Sequence, residues 1–419
     1  MSGIWEELKW RGLVAQVTDG EALQELLAGE QISFYCGFDP TAASLHHGHL
    51  VQLILMKHLQ EAGHRPIALV GGATGLIGDP RMSGERVLNS TDVVAQWSQA
   101  LRSQIEPFLS FTGPNAAIME NNYNWISQLS AIDLLRDIGK HFRLGTMLAK
   151  DTVARRLESE QGISFTEFSY QLLQAYDFLK LFENENCILQ TGGNDQWGNL
   201  LGGVELIRKV HAKSAQVLTT PLITKADGTK FGKTEGGAVW LSPELMSPYA
   251  FYQYWINTDD ADVVNWLKIF TFLSRSKIED LAIQVAEKPF LRTAQKTLAF
   301  EVTQLVHGQK AANDVVKASE VLFGNGDFLS VDLATLLAAG QSLPSISFDG
   351  DVPLLDVLTS VGLVKSKNEA KRALTDGGIY LNNVKISDPD FVLTSEFLIA
   401  GKCAVLRRGK KKLSFIVVK

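Results

Sequence analysis

The sequence predicts an α/β fold with a doubly wound parallel sheet, followed by an α-helical domain and a small α+β domain. Three short apolar runs, at residues 32–35, 66–70 and 187–190, have the composition of buried parallel strands. Two of them run into Gly-Gly pairs, and the first runs into a Gly/Pro turn. Because ligands bind at the carboxyl ends of strands in open parallel sheets, we expect a Rossmann-like sheet with its binding crevice at these turns.

Length and composition indicate a soluble globular protein with two or three domains. The chain has 419 residues, of which 45% are apolar and 21% charged. It has no run of about eighteen apolar residues that could span a membrane, and its acidic start does not resemble a secretory signal. Three widely spaced cysteines, Cys36, Cys187 and Cys403, predict a reducing cytoplasmic location with neither disulfides nor a metal cluster.

Four regions are predicted along the chain. Residues 1–240 form the sheet domain, which includes a helical insertion, and residues 241–323 form the α-helical domain. Residues 324–350 contain Gly, Asp, Ser and Pro and are expected to be a linker with room for one short helix. Residues 351–419 hold 12 Lys and Arg against 7 Asp and Glu, a net charge of +5, so the preceding 350 residues carry −11. A basic module on an acidic body is common in proteins that handle RNA.

The first candidate site joins the strand at 32–35 to a helix that begins near His49. His46 and His49 are three positions apart, on one face of the first helical turn. Free backbone N–H groups attract phosphates there, and Gly48 lets a flat nucleotide approach the backbone. Neutral imidazoles can donate hydrogen bonds to phosphate. By itself the motif also fits a helix cap with incidental histidines or, less well, a zinc site.

A second candidate lies far downstream, in a polar loop at residues 225–234. Lys230 and Lys233 flank a glycine there, and Thr234 follows. Lysine is a compact charge on a flexible stem, which suits contact with a departing pyrophosphate. A lysine-rich loop alone is usually just solvated, but the two motifs in this order are far more specific than either one.

Together, the two motifs resemble those of the class I aminoacyl-tRNA synthetases. His46-His47-Gly48-His49 stands at the family's HIGH motif, and the segment at residues 230–234 stands at its KMSKS motif in the form KFGKT. Further segments narrow the resemblance to bacterial-type tyrosyl-tRNA synthetases, and it covers essentially the whole chain. These segments are residues 35–41, 71–80, 164–177 and 192–199.

The resemblance implies a tyrosine–tRNA ligase that works in two steps. The tyrosine carboxylate attacks the α-phosphate of ATP, which gives tyrosyl-adenylate and pyrophosphate, and the tyrosyl group then passes to the 3′ end of tRNA(Tyr). Mg²⁺ is implied with the ATP, and a homodimer contact is implied at residues 132–135 and 141–144. This chemistry mainly requires positioning and charge stabilisation, and the sequence shows no signal for a protein nucleophile.

The resemblance also assigns roles to individual residues. Tyr170, Gln174 and Asp177 fall on one face of a helix, as a polar pocket lining would. The implied tyrosine site consists of Tyr35 and Asp177 at the phenol, Asp79, Tyr170 and Gln174 at the ammonium group, and Gln196 near the carboxylate. The implied catalytic residues are Thr41, His46, His49, Arg86, Lys230, Lys233 and Thr234. The implied ATP-binding residues are Cys36, Gly37, Asp39, Gly48, Gly193, Asp195 and Lys233.

Two positions depart from the family pattern. After Asp79-Pro80 the family commonly carries a lysine in a loop one residue longer, whereas this chain has Arg81 and Arg86 there. The resemblance leaves open which side chain supplies that positive charge, and Arg81 is one candidate. Gln52 stands where the family varies, and we expect it to contact the ribose region weakly or not at all.

The last region resembles an S4-type RNA-binding domain. A basic helix precedes a Gly-led strand and an Asn-Asn turn, and a basic hairpin-like element ends the region. The alternative of a solubilising tail fits less well, because strand-forming residues flank the charges. The expected RNA contacts are Lys367, Lys371, Arg372, Arg407, Arg408, Lys410 and Lys411.

Two other functions share some of these features. A tryptophanyl-type relative has both signature motifs, but Tyr35 with Asp177 favours a phenol over an indole, and the C-terminal RNA module also favours the tyrosyl assignment. An RNA-binding regulator with an inactive synthetase core is disfavoured by the intact histidine and lysine motifs. An ATP–pyrophosphate exchange assay with each amino acid separates the three functions.

Overall fold

The chain forms two compact units, Met1–Leu245 with Ala261–Ile283, and Met246–Asp260 with Gln284–Lys419. Residues 261–283 therefore pack with the first unit, whereas the sequence grouped them with a domain at 241–323. Arg11 explains part of this difference, because its guanidinium donates to the carbonyl oxygens of Lys268, Thr271 and Leu273 at 2.6–2.9 Å. The computed structural model describes residues 3–81, 84, 86–160, 162–228, 232–234, 237–323, 326–341, 343–348, 350–409 and 412–418.

A mostly parallel sheet forms the centre of the first unit. Its strands are β1 (Gln16–Val17), β2 (Ser33–Phe38), β3 (Arg65–Val70), β4 (Ile118–Asn121), β5 (Cys187–Gly193) and β6 (Gln216–Thr220). They lie in the order β1-β6-β5-β2-β3-β4, and only β1 runs antiparallel to its neighbour. This order confirms the predicted doubly wound sheet. Successive strands are added on one side of β2 up to β4 and on its other side from β5 onward. The carboxyl ends of the parallel neighbours β2 and β5 therefore form the switch point at which such sheets bind ligands.

Helices of the first unit surround this sheet, and α3, α5, α10 and α11 contact its strands. They are α1 (Ile4–Arg11), α2 (Gly20–Ala28), α3 (His47–Glu61), α4 (Thr74–Ile77), α5 (Thr91–Ile105), α6 (Tyr123–Ile126), α7 (Ala131–Asp133), α8 (Leu144–Leu148), α9 (Asp151–Leu157), α10 (Phe165–Glu185) and α11 (Trp197–His211). The later helices are α12 (Pro248–Ile256), α13 (Asp260–Phe270), α14 (Arg275–Glu287), α15 (Thr293–Phe323), α16 (Leu333–Gly340), α17 (Leu354–Ser360) and α18 (Lys367–Thr375). Single helical turns occur at Glu106–Phe108, Leu134–Ile138, Gly139–His141, Asn194–Gln196, Pro289–Leu291, Phe328–Ser330 and Ser395–Phe397.

Helix α10 carries the polar stripe that the sequence predicted, and local signals set its ends. Ser164 caps its first turn, since the Ser164 hydroxyl accepts from the Glu167 N–H at 3.3 Å. Asn186 ends the helix in the left-handed conformation, with φ 50°. Phe178 and Leu179 pack into an apolar cluster with Tyr35 of β2. This packing holds the polar stripe of α10 beside the end of β2.

The second unit contains a sheet with its own apolar core. The remaining strands of the chain are β7 (Lys233–Thr234), β8 (Gly237–Ala238), β9 (Ser345–Phe348), β10 (Val352–Pro353), β11 (Ile379–Leu381), β12 (Val384–Ile386), β13 (Val392–Leu393), β14 (Cys403–Arg408) and β15 (Lys412–Val418). The sheet order in this unit is β12-β11-β14-β15-β9. Leu358, Leu374, Leu406 and Ile416 are fully buried between this sheet and helices α17 and α18.

The range 324–350 does not behave throughout as the predicted linker. Its residues 345–348 form β9, which pairs in parallel with β15. Helix α16 ends at Gly340, where a Cβ atom would lie 2.2 Å from the Phe415 ring of β15, so the helix packs closely on the strand. The flanking turn residues obscured a short alternating strand whose pairing partner lies some seventy residues downstream. Among the residues described, no helix combines the length and apolar character that a membrane crossing needs.

Candidate active site

Tyr35 of β2 lies against the polar stripe of α10. Only 1% of Tyr35 is exposed, and its ring centroid is 5.2 Å from that of Phe178. Burial and the nearby Asp177 carboxylate raise the pKa of the Tyr35 hydroxyl well above its usual range. Tyr35 Oη, Gln174 Oε1 and Gln190 Oε1 are buried without a hydrogen-bond partner among the described residues. Because unpaired polar atoms are costly to bury, this crevice is suited to bind a ligand with polar groups.

A chain of hydrogen bonds joins Tyr170 to Asp177 through Asp39, Thr74 and Asn122, which lie after β2, in α4 and after β4. Tyr170 Oη donates to Asp39 Oδ2 at 2.7 Å, and Thr74 Oγ1 donates to Asp39 Oδ1 at 2.6 Å. Asn122 Nδ2 donates both to Thr74 Oγ1 and to Asp177 Oδ2, in each case at 2.9 Å. This buried chain fixes the carboxylate at the end of β2 relative to the carboxylate on α10.

The Asp177 carboxyl group accepts a hydrogen bond on each oxygen. Trp125 Nε1 donates to Oδ1 at 2.8 Å, and Asn122 donates to Oδ2. Burial nevertheless raises the pKa of Asp177 to about 8, against the opposing effect of these two hydrogen bonds. The group therefore titrates near neutral pH, and it can accept from or donate to a phenol oxygen.

Two amides hold the Asp79 carboxylate. Gln196 Nε2 donates to its Oδ2 and Asn199 Nδ2 to its Oδ1, both at 3.0 Å. Lys150 Nζ donates to Asn199 Oδ1 at 3.2 Å, and because an ammonium group can only donate, the Asn199 nitrogen must face Asp79. Burial raises the pKa of Asp79 to about 6 and lowers the pKa of Lys150 to about 8. A buried, oriented carboxylate of this kind suits a substrate ammonium group.

Arg86 lies beside Asp79. Arg86 Nε donates to the Asp79 backbone oxygen at 2.8 Å, and the Arg86 N–H donates to Glu167 Oε1 at 3.1 Å. Arg81, the candidate substitute for the family's lysine, is exposed, and its carbonyl oxygen accepts from Arg156 at 2.8 Å. Of the two arginines, Arg86 is therefore the one in direct contact with the Asp79 backbone.

The first turn of α3 determines which ring nitrogens of His46 and His49 carry hydrogen. The Gly48 N–H donates to His46 Nδ1 at 3.1 Å, and the His46 N–H donates to His49 Nδ1 at 3.2 Å. Because a backbone N–H only donates, both Nδ1 atoms are acceptors, and the neutral rings carry hydrogen on Nε2. Burial lowers the pKa of both imidazoles, and the rings stack with centroids 4.0 Å apart. Each histidine is therefore a neutral hydrogen-bond donor.

The downstream loop lies beside this turn. Backbone N–H···O bonds of 2.9 Å join residues 239–241 to residues 45–47. At Gly232, a Cβ atom would lie 1.9 Å from the His47 ring, so a side chain would not fit there. The two sequence motifs thus meet in space. Three loop residues were predicted to contact the substrate. Lys230 lies outside the described residues, and only the backbone of Lys233 and Thr234 is described.

The other predicted nucleotide contacts lie at the ends of β2 and β5. Gly37 is exposed within β2, and no described atom lies within 4 Å of the position of a Cβ atom there. At Gly193, a Cβ atom would lie 2.5 Å from Asp195 Oδ1, so this glycine permits a close approach. Cys36 is buried, and burial raises the pKa of its thiol to about 12, which makes it a poor nucleophile. Thr41 is exposed in the turn after β2.

Some of the predicted RNA contacts in the second unit lie on a helix. Lys367, Lys371 and Arg372 are all exposed on α18. Helix α18 packs against α17 through its apolar face, so these charges lie on its solvent side. Lys410 and Lys411 lie outside the described residues.

The arginines of β14 contribute to packing within the second unit. Arg407 is buried, and its guanidinium lies 4.4 Å from the Tyr380 ring centroid. Arg408 donates to the Leu363 carbonyl oxygen at 2.8 Å and pairs with Glu369 at 2.9 Å. Substituting these arginines would therefore disturb the domain as well as any RNA contact.

Sequence reasoning gave no role to several polar side chains of the site. Asn122 and Trp125 carry a signal, because they directly follow β4, whose carboxyl end lies at the same edge of the sheet. Gln52, expected to contact the ribose region weakly or not at all, donates to Thr220 Oγ1 at 2.6 Å. The residues without an assigned role are Thr74, Asn122, Trp125, Lys150, Gln190 and Asn199.

Comparison with known proteins agrees with this geometry. Residues 27–324 match the family of class I tRNA synthetases for W and Y, and residues 336–416 match the SYY-like C-terminal domain of tyrosine–tRNA ligases. The tyrosine–tRNA ligase of Streptomyces coelicolor is 55% identical over 100% of this chain and 99% of its own length. The tyrosine–tRNA ligase of Leifsonia xyli is 56% identical, over 99% of this chain and 94% of its own.

A solved structure gives the same result. The C-terminally truncated mitochondrial tyrosyl-tRNA synthetase of Aspergillus nidulans superimposes with a TM-score of 0.71 at 30% identity. The match covers 77% of this chain and 95% of that one. Residues 336–416 match the tyrosyl form of the C-terminal domain, which decides against the tryptophanyl alternative. The chain therefore belongs to the tyrosine–tRNA ligases, the bacterial-type tyrosyl members of the class I aminoacyl-tRNA synthetases.

Proposed function

We propose that this tyrosine–tRNA ligase binds tyrosine between β2 and α10, with the phenol at Tyr35 and Asp177 and the ammonium group at Asp79. The observation that carries the proposal is the buried, unpaired Tyr35 hydroxyl beside the Asp177 carboxyl group. A phenol hydroxyl would pair with both groups, whereas a phenyl ring would leave them unpaired. Tyr170 and Gln174 border the ammonium site from the same face of α10.

ATP then binds across the ends of β2 and β5, with its phosphates at the first turn of α3. The neutral Nε2–H groups of His46 and His49 support this assignment, because they can donate hydrogen bonds to the α-phosphate oxygens as negative charge develops on them. Arg86 adds a fixed positive charge, and Lys230, Lys233 and Thr234 close over the pyrophosphate. Mg²⁺ enters as part of the nucleotide substrate. The chain's own residues thus hold the carboxylate and the α-phosphate in line.

The tyrosyl group passes to tRNA(Tyr), which the basic region at residues 351–419 binds. The exposed charges of α18 support this division of labour, and phosphate contacts of this kind dominate RNA affinity. We also propose that the protein works in the cytoplasm as a homodimer.

Selectivity for the phenol tests the tyrosine site. Tyr35→Phe should lower kcat/KM for tyrosine by about fivefold. This corresponds to the roughly 1 kcal/mol that one neutral hydrogen bond contributes. Asp177→Asn should cost about 2–3 kcal/mol, because an amide offers one acceptor oxygen to two buried donors, Asn122 and Trp125. Pyrophosphate exchange with tyrosine and phenylalanine measures both. Tyr176→Phe, which alters a half-buried tyrosine on another face of α10, is the matched control. An unchanged Tyr/Phe ratio in the first two variants would place the phenol elsewhere.

The pH dependence of tyrosine binding tests Asp79. Its pKa of about 6 in the folded protein is raised by burial, so the carboxylate takes up a proton as the pH falls through that value. KM for tyrosine should therefore rise between about pH 7 and about pH 5, approaching tenfold per unit at the acid end. Exchange assays across that range give the profile. Asp79→Asn should show a high KM that no longer depends on pH, and a persistent slope in that variant would contradict the assignment.

Salt dependence tests the RNA surface on α18. Lys371→Gln with Arg372→Gln should raise KM for tRNA and reduce the salt slope of charging by about one unit for each lost phosphate contact. Adenylate formation without tRNA should not change, and it serves as the internal control. Equal charging by the variant and the parent protein at every salt concentration would remove α18 from the interface.

Exposed apolar residues in the first unit allow a test of the proposed homodimer. Ile132, Leu135, Leu144 and Phe165 are 60–77% exposed, and three of them fall at the predicted subunit contact. Leu144→Asp should halve the mass measured by light scattering, because a buried carboxylate opposes association. Phe290, 79% exposed in the second unit, gives the control variant Phe290→Asp, whose mass should stay dimeric. A monomeric parent protein, or a dimeric Leu144→Asp variant, would exclude this contact.

A further inference from the structure

An ion pair between Arg156 of α9 and Glu167 of α10 is almost completely inaccessible to solvent. The two side chains are 2% and 1% exposed, and Arg156 Nη2 lies 2.8 Å from Glu167 Oε2. Removing two charges from water costs several kcal/mol for each ion, so such a pair contributes little net stability unless further contacts satisfy it. Where the other atoms of the pair bind therefore indicates its role.

Those further contacts reach both ends of one short segment. Arg156 Nη1 donates to the Arg81 carbonyl oxygen at 2.8 Å, and Glu167 Oε1 accepts from the Arg86 N–H at 3.1 Å. Arg156 Nε donates to the Gly162 carbonyl oxygen at 3.0 Å, which ties the same guanidinium to the turn between α9 and α10. One buried pair thus contacts the backbone of both Arg81 and Arg86, which follow Asp79-Pro80.

The held segment places the Arg86 side chain on the backbone of the tyrosine site. Arg86 Nε donates to the Asp79 carbonyl oxygen at 2.8 Å. Its Cδ lies where a Cβ atom of Gly78 would come within 2.3 Å, and Gly78 has a φ of 81° that disfavours other residues. Arg86 is consequently fixed at its backbone N–H by Glu167, at its stem by Gly78 and at Nε by Asp79.

We propose that the Arg156–Glu167 pair is a clamp that positions Arg86 for adenylate formation. The inference rests on the proposed role of Arg86 at the ATP phosphates. Neither Arg156 nor Glu167 touches substrate in this assignment, and both act only through the segment they hold. The short segment lacks the family's lysine, so the positive charge near the phosphates depends on Arg86 being held in place. A charged pair suits this task because its geometry is directional and both partners have donors or acceptors left for the backbone.

A double-mutant cycle with Arg86 tests the clamp. Arg156→Lys retains the charge but loses the forked geometry, and it should slow adenylate formation by on the order of tenfold, as small misplacements of a positioned group do. KM for ATP should rise, while the dissociation constant for tyrosine should stay unchanged. In an Arg86→Ala background, Arg156→Lys should change the rate by less than about twofold, because coupled residues are non-additive. Arg208→Lys alters the exposed Arg208–Glu205 pair and is the matched control.

Each outcome of the cycle has one meaning. If Arg156→Lys slows the reaction equally with and without Arg86, the pair has a general structural role and the proposal fails. If tyrosine affinity falls as much as the rate does, it also fails. Should Arg156→Lys not fold, the same cycle with Glu167→Gln decides, and failure of both variants to fold would assign the pair to stability alone. If Arg86→Ala alone leaves the rate of tyrosine-dependent pyrophosphate exchange unchanged, the proposed role of Arg86 is wrong. The assignment of the chain as a tyrosine–tRNA ligase is then unaffected.

Discussion

The proposed tyrosine site depends on one buried amide, that of Asn122. Its nitrogen donates to Thr74 and to Asp177, and its oxygen accepts from the Ala73 N–H at 2.8 Å. Both polar atoms of the amide are used, and they join the end of β4, the start of α4 and the middle of α10. A partly satisfied network would cost the full desolvation of each unpaired group, so the arrangement is strongly favoured over alternatives. The Asn122 amide positions the carboxylate of Asp177 directly and that of Asp39 through Thr74.

At the first turn of α3, the residues that cap the helix are also those proposed to contact the phosphates. His46 closes the helix N-terminus by accepting from Gly48, and His49 accepts from His46 in return. Using Nδ1 for the cap leaves Nε2–H as the donor that faces away from it, and burial disfavours the charged ring. A single local structure therefore sets the position, tautomer and charge of both imidazoles.

Burial gives the carboxylates of this site their shifted pKa values. Asp79 and Asp177 both lose hydration, and the amides and the indole that donate to them offset only part of that loss. Groups that titrate near neutral pH in a crevice are typical of sites that handle protons or polar substrates. The surrounding helices and strands must supply the packing energy that keeps these carboxyl groups buried. The Arg156–Glu167 pair is a second case of buried charge, and its remaining atoms bind backbone groups.

The sequence by itself determined the elements with strong local signals. Apolar runs before glycine turns specified β2, β3 and β5, and the spacing of Tyr170, Gln174 and Asp177 specified the polar face of α10. Only the tertiary structure decided which groups meet. Asn122 and Lys150 are far in sequence from their partners, as Arg156 is from Arg81, and no local pattern encodes such contacts. Strand β9 was hidden for the same reason, because a strand of four residues becomes stable only when β15, distant in the chain, supplies its hydrogen bonds. Periodicity and turn chemistry act within a few residues, whereas satisfying buried polar groups is a property of the whole packed domain.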